Sequence, residues 1–241
     1  MSAIIQFIKE SQYCVALTGA GISTLSGIPD FRGKTGVYNQ YDIHRIFDYK
    51  SFVADPEYYY KASRDFIYNI ENRTPNIVHN ELARLENLGL LKVIITQNID
   101  LLHSKAGSKR VIELHGSPRT HTCLNCGKKF SYEFIAKIVH HNEIPECTSC
   151  HGCIKPDIVF FGETLDPGAL QQSVEECSKA DLILALGTSL VVQPAASLPL
   201  YSLENGGSLV IVNQMETPLD EIASGRYQDL ERVFMEIRDS L

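Results

Sequence analysis

No apolar run in this 241-residue sequence is long enough to cross a bilayer; stretches such as DLILALG (181–187) fall far short of the roughly 20 residues a membrane span requires. The opening MSAIIQFIKES lacks the basic start and long apolar core of a secretion signal and reads as a short amphipathic helix. Positive charge is scarce. Twenty-two Lys and Arg face 29 Asp and Glu, a formal net charge of −7. The chain therefore lacks the surplus of cations by which proteins neutralise nucleic-acid phosphates, and a basic peptide suits it better as a partner. No internal repeat or low-complexity tract occurs. A cytoplasmic protein that binds neither membrane nor nucleic acid is the expectation. With 44% hydrophobic and 21% charged residues, the composition allows one sizeable core and a small appended module.

An even cysteine count is also missing. Of the seven cysteines, Cys14 and Cys177 stand alone, and Cys123, Cys126, Cys147, Cys150 and Cys153 crowd into one region. An odd number with C-x-x-C spacing, in a chain without a secretion signal, argues for metal over disulfides. Cys123-Leu-Asn-Cys126 and Cys147-Thr-Ser-Cys150 match a four-cysteine zinc ribbon, and four thiolates leave no open coordination position, so the ion should be structural. Cys150-His-Gly-Cys153 has the same spacing. Gly152 gives the knuckle at Cys150 a tight turn like that of Gly127 at the first, which favours Cys147 with Cys150 and leaves Cys153 a free thiol. His121 and His151 are further candidate ligands, but four cysteines suffice.

What is present in quantity is short β-branched apolar runs: YCVALTG (13–19), LKVIITQN (91–98), RVIELHG (110–116), DIVFFGE (157–163), DLILALGTS (181–189) and SLVIVNQ (208–214). Continuous apolar runs of this length suit strands buried on both faces. Helical patterns lie between several of them, such as VHNELARLENLG (78–89) and ALQQSVEECSKA (169–180). The alternation predicts an α/β fold: a Rossmann-like parallel sheet with helices on both faces. Residues 32–75, aromatic and polar, read as a loop and helical insertion, and residues 117–156 as the zinc-ribbon module. Apart from these two interruptions, the strand runs lie in residues 1–31, 76–116 and 157–241.

The polar residues sit just after the strands, where open α/β sheets bind ligands. Gly19-Ala20-Gly21 opens like a dinucleotide turn, whose glycines can take positive φ or admit a phosphate closely, with the next helix N-terminus and Ser23 as donors. A ligand-free strand-to-helix turn would use the same glycines. Thr24 fills the third glycine position of G-x-G-x-x-G, and a loop containing Asp42 stands where a dehydrogenase places its ribose-binding acid. His115 ends a strand and is a candidate general base. His44, His79, His103, His140 and His141 read as ordinary loop or helix-face histidines. Asn98 and Asp100 in TQNID (96–100) offer the donors and acceptors a carboxamide needs, or cap the helix that follows. Gly187-Thr188-Ser189 and Asn213 are small strand-end groups suited to ribose or phosphate.

In this order GAGIS, GIPDFRG, TQNID, ELHG, the paired knuckles, KPDIVFFGE, GTSL and VIVN resemble the sirtuins, the NAD-dependent protein lysine deacylases, over essentially the whole chain. The likeness is to a compact bacterial-type member without terminal extensions, and it implies a large Rossmann-like domain and a small domain made of the zinc ribbon and the helical insertion. The resemblance implies that NAD is consumed and that the acetyl group of an acetylated lysine passes to ADP-ribose, with nicotinamide and free lysine released. It assigns Gly19, Ala20, Gly21, Ser23, Asp30, Phe31 and Arg32 to the cofactor site. Gln97, Asn98, Ile99 and Asp100 would hold the nicotinamide and its ribose. Gly187, Thr188, Ser189, Asn213 and Met215, with Gln228 or Asp229, would hold the adenosine side. His115 becomes the base, and Val159, Phe160, Phe161 and Gly162 line the acyl-lysine tunnel. Members that prefer acidic acyl groups carry a Tyr and an Arg three residues apart where this chain has Ser63 and Phe66, which implies a preference for neutral acyl groups. A protein ADP-ribosyltransferase using the same NAD site is the alternative activity. A non-catalytic NAD sensor would have no need of a base such as His115.

Overall fold

The computed structural model describes residues 3–30 and 42–241, the side chains of Ile43 and His44 excepted. Phe31 and Arg32, expected in the cofactor site, lie outside the described residues. Nine strands are seen among the described residues: β1 Cys14–Thr18, β2 Val93–Thr96, β3 Val111–Glu113, β4 Gly116–Cys123, β5 Lys129–Ser131, β6 Ile154–Ile158, β7 Leu182–Leu186, β8 Ser208–Val212 and β9 Gly225–Tyr227. The α-helices are α1 Ala3–Glu10, α2 Ile43–Ile46, α3 Tyr49–Ala54, α4 Pro56–Ser63, α5 Ile77–Asn87, α6 Leu102–Lys105, α7 Tyr132–His140, α8 Pro167–Lys179, α9 Leu198–Glu204 and α10 Leu230–Ser240.

Six strands form one parallel sheet in the order β3-β2-β1-β7-β8-β9. Alternate side chains along β1 enter different cores, as the pleat requires. Cys14 and Ala16 pack with residues of α1, α5 and α10, whereas Val15 and Leu17 pack with Cys177 of α8 and Leu198 of α9. Burial on both faces is why these strands read as continuous apolar runs. Two of the sequence expectations change. The run 157–163 does not join this sheet. β6 ends at Ile158 and pairs antiparallel with β4 in a second sheet, β5-β4-β6, so the expected boundary at residue 157 falls inside a strand of the smaller sheet. β9 (Gly-Arg-Tyr) completes the large sheet without any apolar run to signal it.

The small sheet, α7 and the helices α2 to α4 share a third core rich in aromatic rings, including Phe47, Phe52, Tyr59, Tyr60, Tyr68, Tyr132 and Phe160. Hydroxyls tie the two sequence segments together: Tyr60 donates to Ile154 O at 2.8 Å, and Tyr68 Oη lies 2.9 Å from His121 Nε2. No described helix is long and apolar enough to cross a membrane.

Two histidines expected on helix faces are buried instead. His79 of α5 is 0% exposed and His103 of α6 is 2% exposed, with ring centroids 5.0 Å apart. His103 Nε2 meets Thr18 Oγ1 at 3.0 Å, and His79 Nδ1 accepts the Asn76 N–H. Burial lowers the pKa of His79 to about 4, and burial with the neighbouring ring lowers that of His103 to about 3. Both are neutral in the fold, while the unfolded chain takes up protons below about pH 6.5. Their stabilising contribution is therefore complete above about pH 6.5 and is lost as the pH falls toward 4. Urea unfolding between pH 7 and pH 5 should show a loss of about 2 kcal/mol per histidine, reduced in a His103→Gln variant.

Candidate active site

The large sheet delivers its ligand-facing residues to one edge. At the end of β1 the chain turns through Gly19-Ala20-Gly21 into a 3-10 helix, Ala20–Ser26. Neither Gly19 nor Gly21 takes positive φ. Their lack of a side chain matters for a different reason. A Cβ on Gly19 would meet Gly187 O and Thr188 Cβ at 2.8 Å, and one on Gly21 would meet Gly187 Cα at 2.8 Å. The turns after β1 and β7 are pressed together, and Gly19 N–H and Gly21 N–H donate to Leu186 O and Gly187 O. What those two residues offer a phosphate is close backbone approach, with their own donors already used. Thr24 is exposed and donates to Gly21 O, so no third glycine is needed for packing there. A Gly21→Ala variant should lose about 1–3 kcal/mol of stability in urea unfolding, because the obstacle is backbone that must shift.

The loop after β2 lies against this turn. Asn98 Nδ2 donates to Gly19 O at 3.1 Å and to Ser23 Oγ at 3.3 Å. Ser23 Oγ donates to Asp100 Oδ2 at 2.6 Å, and Asp100 Oδ1 accepts the Leu102 N–H that opens α6. The capping role is thus filled by the same carboxylate that takes the Ser23 hydroxyl. Asp100 is 6% exposed, and burial raises its pKa against the opposing pull of Ser23. Gln97 Nε2 donates to Thr188 Oγ1 at 2.9 Å, which joins the β2 and β7 loops. Ile99 packs at the margin of the aromatic core.

His115 follows β3. Its Nδ1 is 3.1 Å from Gln97 O. A carbonyl can only accept, so Nδ1 carries the proton and Nε2 keeps its lone pair. Burial lowers the His115 pKa, partly countered by that same carbonyl. The ring is therefore neutral at neutral pH and oriented as a base. The His115 carbonyl in turn accepts the Val159 N–H at 2.9 Å, which brings the segment after β6 to the site.

Phe160 and Phe161 part company there. Phe160 is 1% exposed, with its ring 5.7 Å from Phe47, 5.4 Å from Phe52 and 5.3 Å from Tyr59, whereas Phe161 is 45% exposed. Phe160 is thus part of the aromatic core, and Phe161 faces outward beside Gly162, whose φ is +92°. Around the remaining strand ends, Gly187, Thr188 and Asn213 are buried, Ser189 and Asp30 half-buried, and Met215 and Gln228 exposed. Asn213 Nδ2 donates to Met215 O at 2.9 Å. Lys155 and Glu163, which flank the Phe160 segment, form an ion pair that no spacing in the sequence announced.

The cysteine knuckles meet in the small sheet. The sulfurs of Cys123, Cys126, Cys147 and Cys150 all lie within 4.8 Å of one another, with Cys123–Cys150 and Cys126–Cys147 each at 3.5 Å. Zinc–sulfur bonds of about 2.3 Å set tetrahedral sulfurs about 3.8 Å apart, so the cluster fits a zinc ion. Cys153 is not in the cluster, and His121 Nε2 is engaged by Tyr68.

Against known proteins, the sequence model of the Sir2 family matches residues 19–194. An NAD-dependent protein deacetylase of Thermotoga maritima is 47% identical over 94% of this chain and 92% of its own length. An NAD-dependent protein deacylase of Archaeoglobus fulgidus is 45% identical over 91% of this chain and 89% of its own. Among solved structures, a complex of Sir2 with a p53 peptide and NAD+ superposes with a TM-score of 0.92 at 44% identity, covering 99% of this chain and 97% of that one. Sir2Tm bound to a propionylated peptide gives a TM-score of 0.90 at 43% identity, with 98% and 96% covered.

Proposed function

The chain belongs to the Sir2 family, and on that premise we propose that it is an NAD-dependent protein lysine deacetylase in which His115 is the catalytic base. The observation that carries this reading is the neutral His115 ring, its Nδ1 proton fixed on Gln97 O beside the glycine turn. NAD, consumed as a co-substrate, supplies a sugar carbon made electrophilic by departure of nicotinamide. The chain's own groups do the rest. Gly19, Ala20 and Gly21, with Ser23, give the phosphates close backbone approach. Gln97, Asn98, Ile99 and Asp100 hold the nicotinamide and its ribose, and Gly187, Thr188, Ser189, Asn213, Met215 and Gln228 the adenosine side. Asp30 belongs to the same cofactor site, and Phe31 and Arg32, which the resemblance assigns there, lie outside the described residues. The acyl oxygen of the lysine bonds to that sugar carbon as nicotinamide leaves; His115 then takes a proton from a ribose hydroxyl, whose oxygen attacks the acyl carbon, and on addition of water the lysine amine departs and the acyl group stays on ADP-ribose. Val159, Phe160, Phe161 and Gly162 receive the acyl-lysine, Val159 and Phe161 from the open side and Phe160 from the core behind them. Cys123, Cys126, Cys147 and Cys150 hold one structural zinc ion. The larger and smaller units of the expected domain division supply the two walls of the cleft.

The ligand set also speaks for a reducing compartment, and a cytoplasmic location goes with it. Incubation with NAD and an acetyl-lysine peptide tests the activity: deacetylation and nicotinamide release should both occur and should both vanish without NAD.

Acyl preference follows from the insertion. Ser63 is fully buried and donates to Tyr59 O, and Phe66 packs edge-on to Phe47 at 6.2 Å. Arg64, next in sequence to Ser63, donates to Asn142 Oδ1 of the zinc module, and Lys155 beside Phe160 is already paired with Glu163. A carboxylate in the tunnel would find no charge partner in this set. Acetyl-lysine peptides should therefore be turned over at least about tenfold faster than matched succinyl peptides. Equal rates, read by mass spectrometry, would contradict that assignment.

A further inference from the structure

Lys155 is a buried cation at the end of the small sheet, 6% exposed. An ammonium taken out of water must place three protons. Lys155 Nζ donates to Ile158 O at 2.7 Å, to Pro156 O at 3.1 Å and to Glu163 Oε2 at 2.8 Å, and it stands 4.2 Å from the centre of the Phe160 ring. The same Glu163 oxygen accepts the Phe160 N–H at 2.8 Å, and the Glu163 N–H donates back to Phe160 O at 3.0 Å. Every one of these partners lies within residues 156–163. A pair that served the global fold would join separate elements; this one joins a lysine to the chain that follows it.

That stretch sits between the two parts of the site. Val159 N–H is bound to His115 O, Phe161 N–H to Phe47 O at 2.7 Å, and Tyr49 N–H to Phe161 O at 3.0 Å. The internal fastening at Lys155 therefore sets how residues 158–163 span from the base to the helical insertion. Desolvation pulls the Lys155 pKa down, and the hydrogen bond and charge of Glu163, with the charge of Asp157, oppose it.

We propose that Lys155 and Glu163 are positioning residues that lock segment 158–163 into the shape that receives the acyl-lysine peptide. The inference rests on the reading of that segment as peptide-binding. Neither side chain is assigned contact with substrate; they act through the backbone of Ile158 and Phe160 and through the Phe160 ring.

Fluorescence anisotropy with a labelled acetyl-lysine peptide tests this on the whole zinc-loaded protein, without turnover. Glu163→Gln should weaken peptide binding about tenfold or more, since it strands a buried charge, while the Kd for NAD stays within about twofold. The double variant Lys155→Met with Glu163→Gln removes both charges, so no ion is left unpaired. It should stay folded, with full zinc content, and still bind peptide about tenfold more weakly. Parent-like peptide binding by the folded double variant overturns the positioning role. So does an equal loss of NAD and peptide affinity in both variants, which marks a general loss of structure. If the parent itself neither binds nor deacetylates the peptide, the functional reading falls, and this proposal with it.

Discussion

Replacing His115 by alanine should lower kcat/KM for deacetylation by about 10²- to 10⁴-fold while NAD still binds. The size follows from the role. The turn at Gly19–Gly21, the Asn98–Ser23–Asp100 bonds and the Gln97–Thr188 contact do not involve the imidazole, so the cofactor side of the site survives the change. What is lost is the group whose Nε2 lone pair is free because Nδ1 is pinned to Gln97 O. In the parent, kcat/KM should fall on the acid side with a midpoint below the ordinary histidine value of about 6.5, since burial depresses the His115 pKa and the base must be neutral. The variant should lose that acid limb along with its rate. A pH series of initial rates on parent and variant reads both effects.

Removal of zinc should be the most damaging change to the small unit. Structural zinc binding in small modules is worth on the order of 10–16 kcal/mol and is folding energy outright. Cys123 and Cys147 are at once ligands and members of the aromatic core, buried at 1% and 0% exposure. Through Tyr68–His121 and Tyr60–Ile154 that core extends to the helical insertion. Cys123→Ala, or chelation of the parent, should therefore collapse the near-ultraviolet signal of the tyrosine cluster and abolish peptide binding together. A metal-free protein with the parent's spectrum and activity would contradict a structural zinc.

Much of this was legible in the sequence where one physical cause dominates. Five apolar runs gave strands of the large sheet because burial on both faces leaves no room for alternation. Cysteine spacing identified the four sulfurs that converge, because two C-x-x-C turns make a tetrahedral set. Legibility failed where the cause is tertiary. DIVFFGE has the composition of a parallel strand, yet only Asp157 and Ile158 fall in a strand, β6, and that strand pairs antiparallel with β4, since nothing local distinguishes the two arrangements. The glycines of the first turn suggested special φ angles, but the reason for them is the turn after β7, distant in sequence. His79 and His103 read as ordinary loop or helix-face histidines, and only the packing of α5 against α6 shows that both faces are buried. No spacing singles out Lys155 and Glu163, and only folding shows that each satisfies the other. β9, too short to carry a pattern, is defined by its register with Val210–Val212.

The central claim is that NAD is broken so that its ribose can take the acyl group. The mass of the nucleotide product after a single turnover with an acetyl-lysine peptide tests it most directly. The account predicts acetylated ADP-ribose in one-to-one yield with free lysine peptide and nicotinamide. ADP-ribose attached to protein, with the peptide still acetylated, would contradict it and assign the same site to ADP-ribosyl transfer.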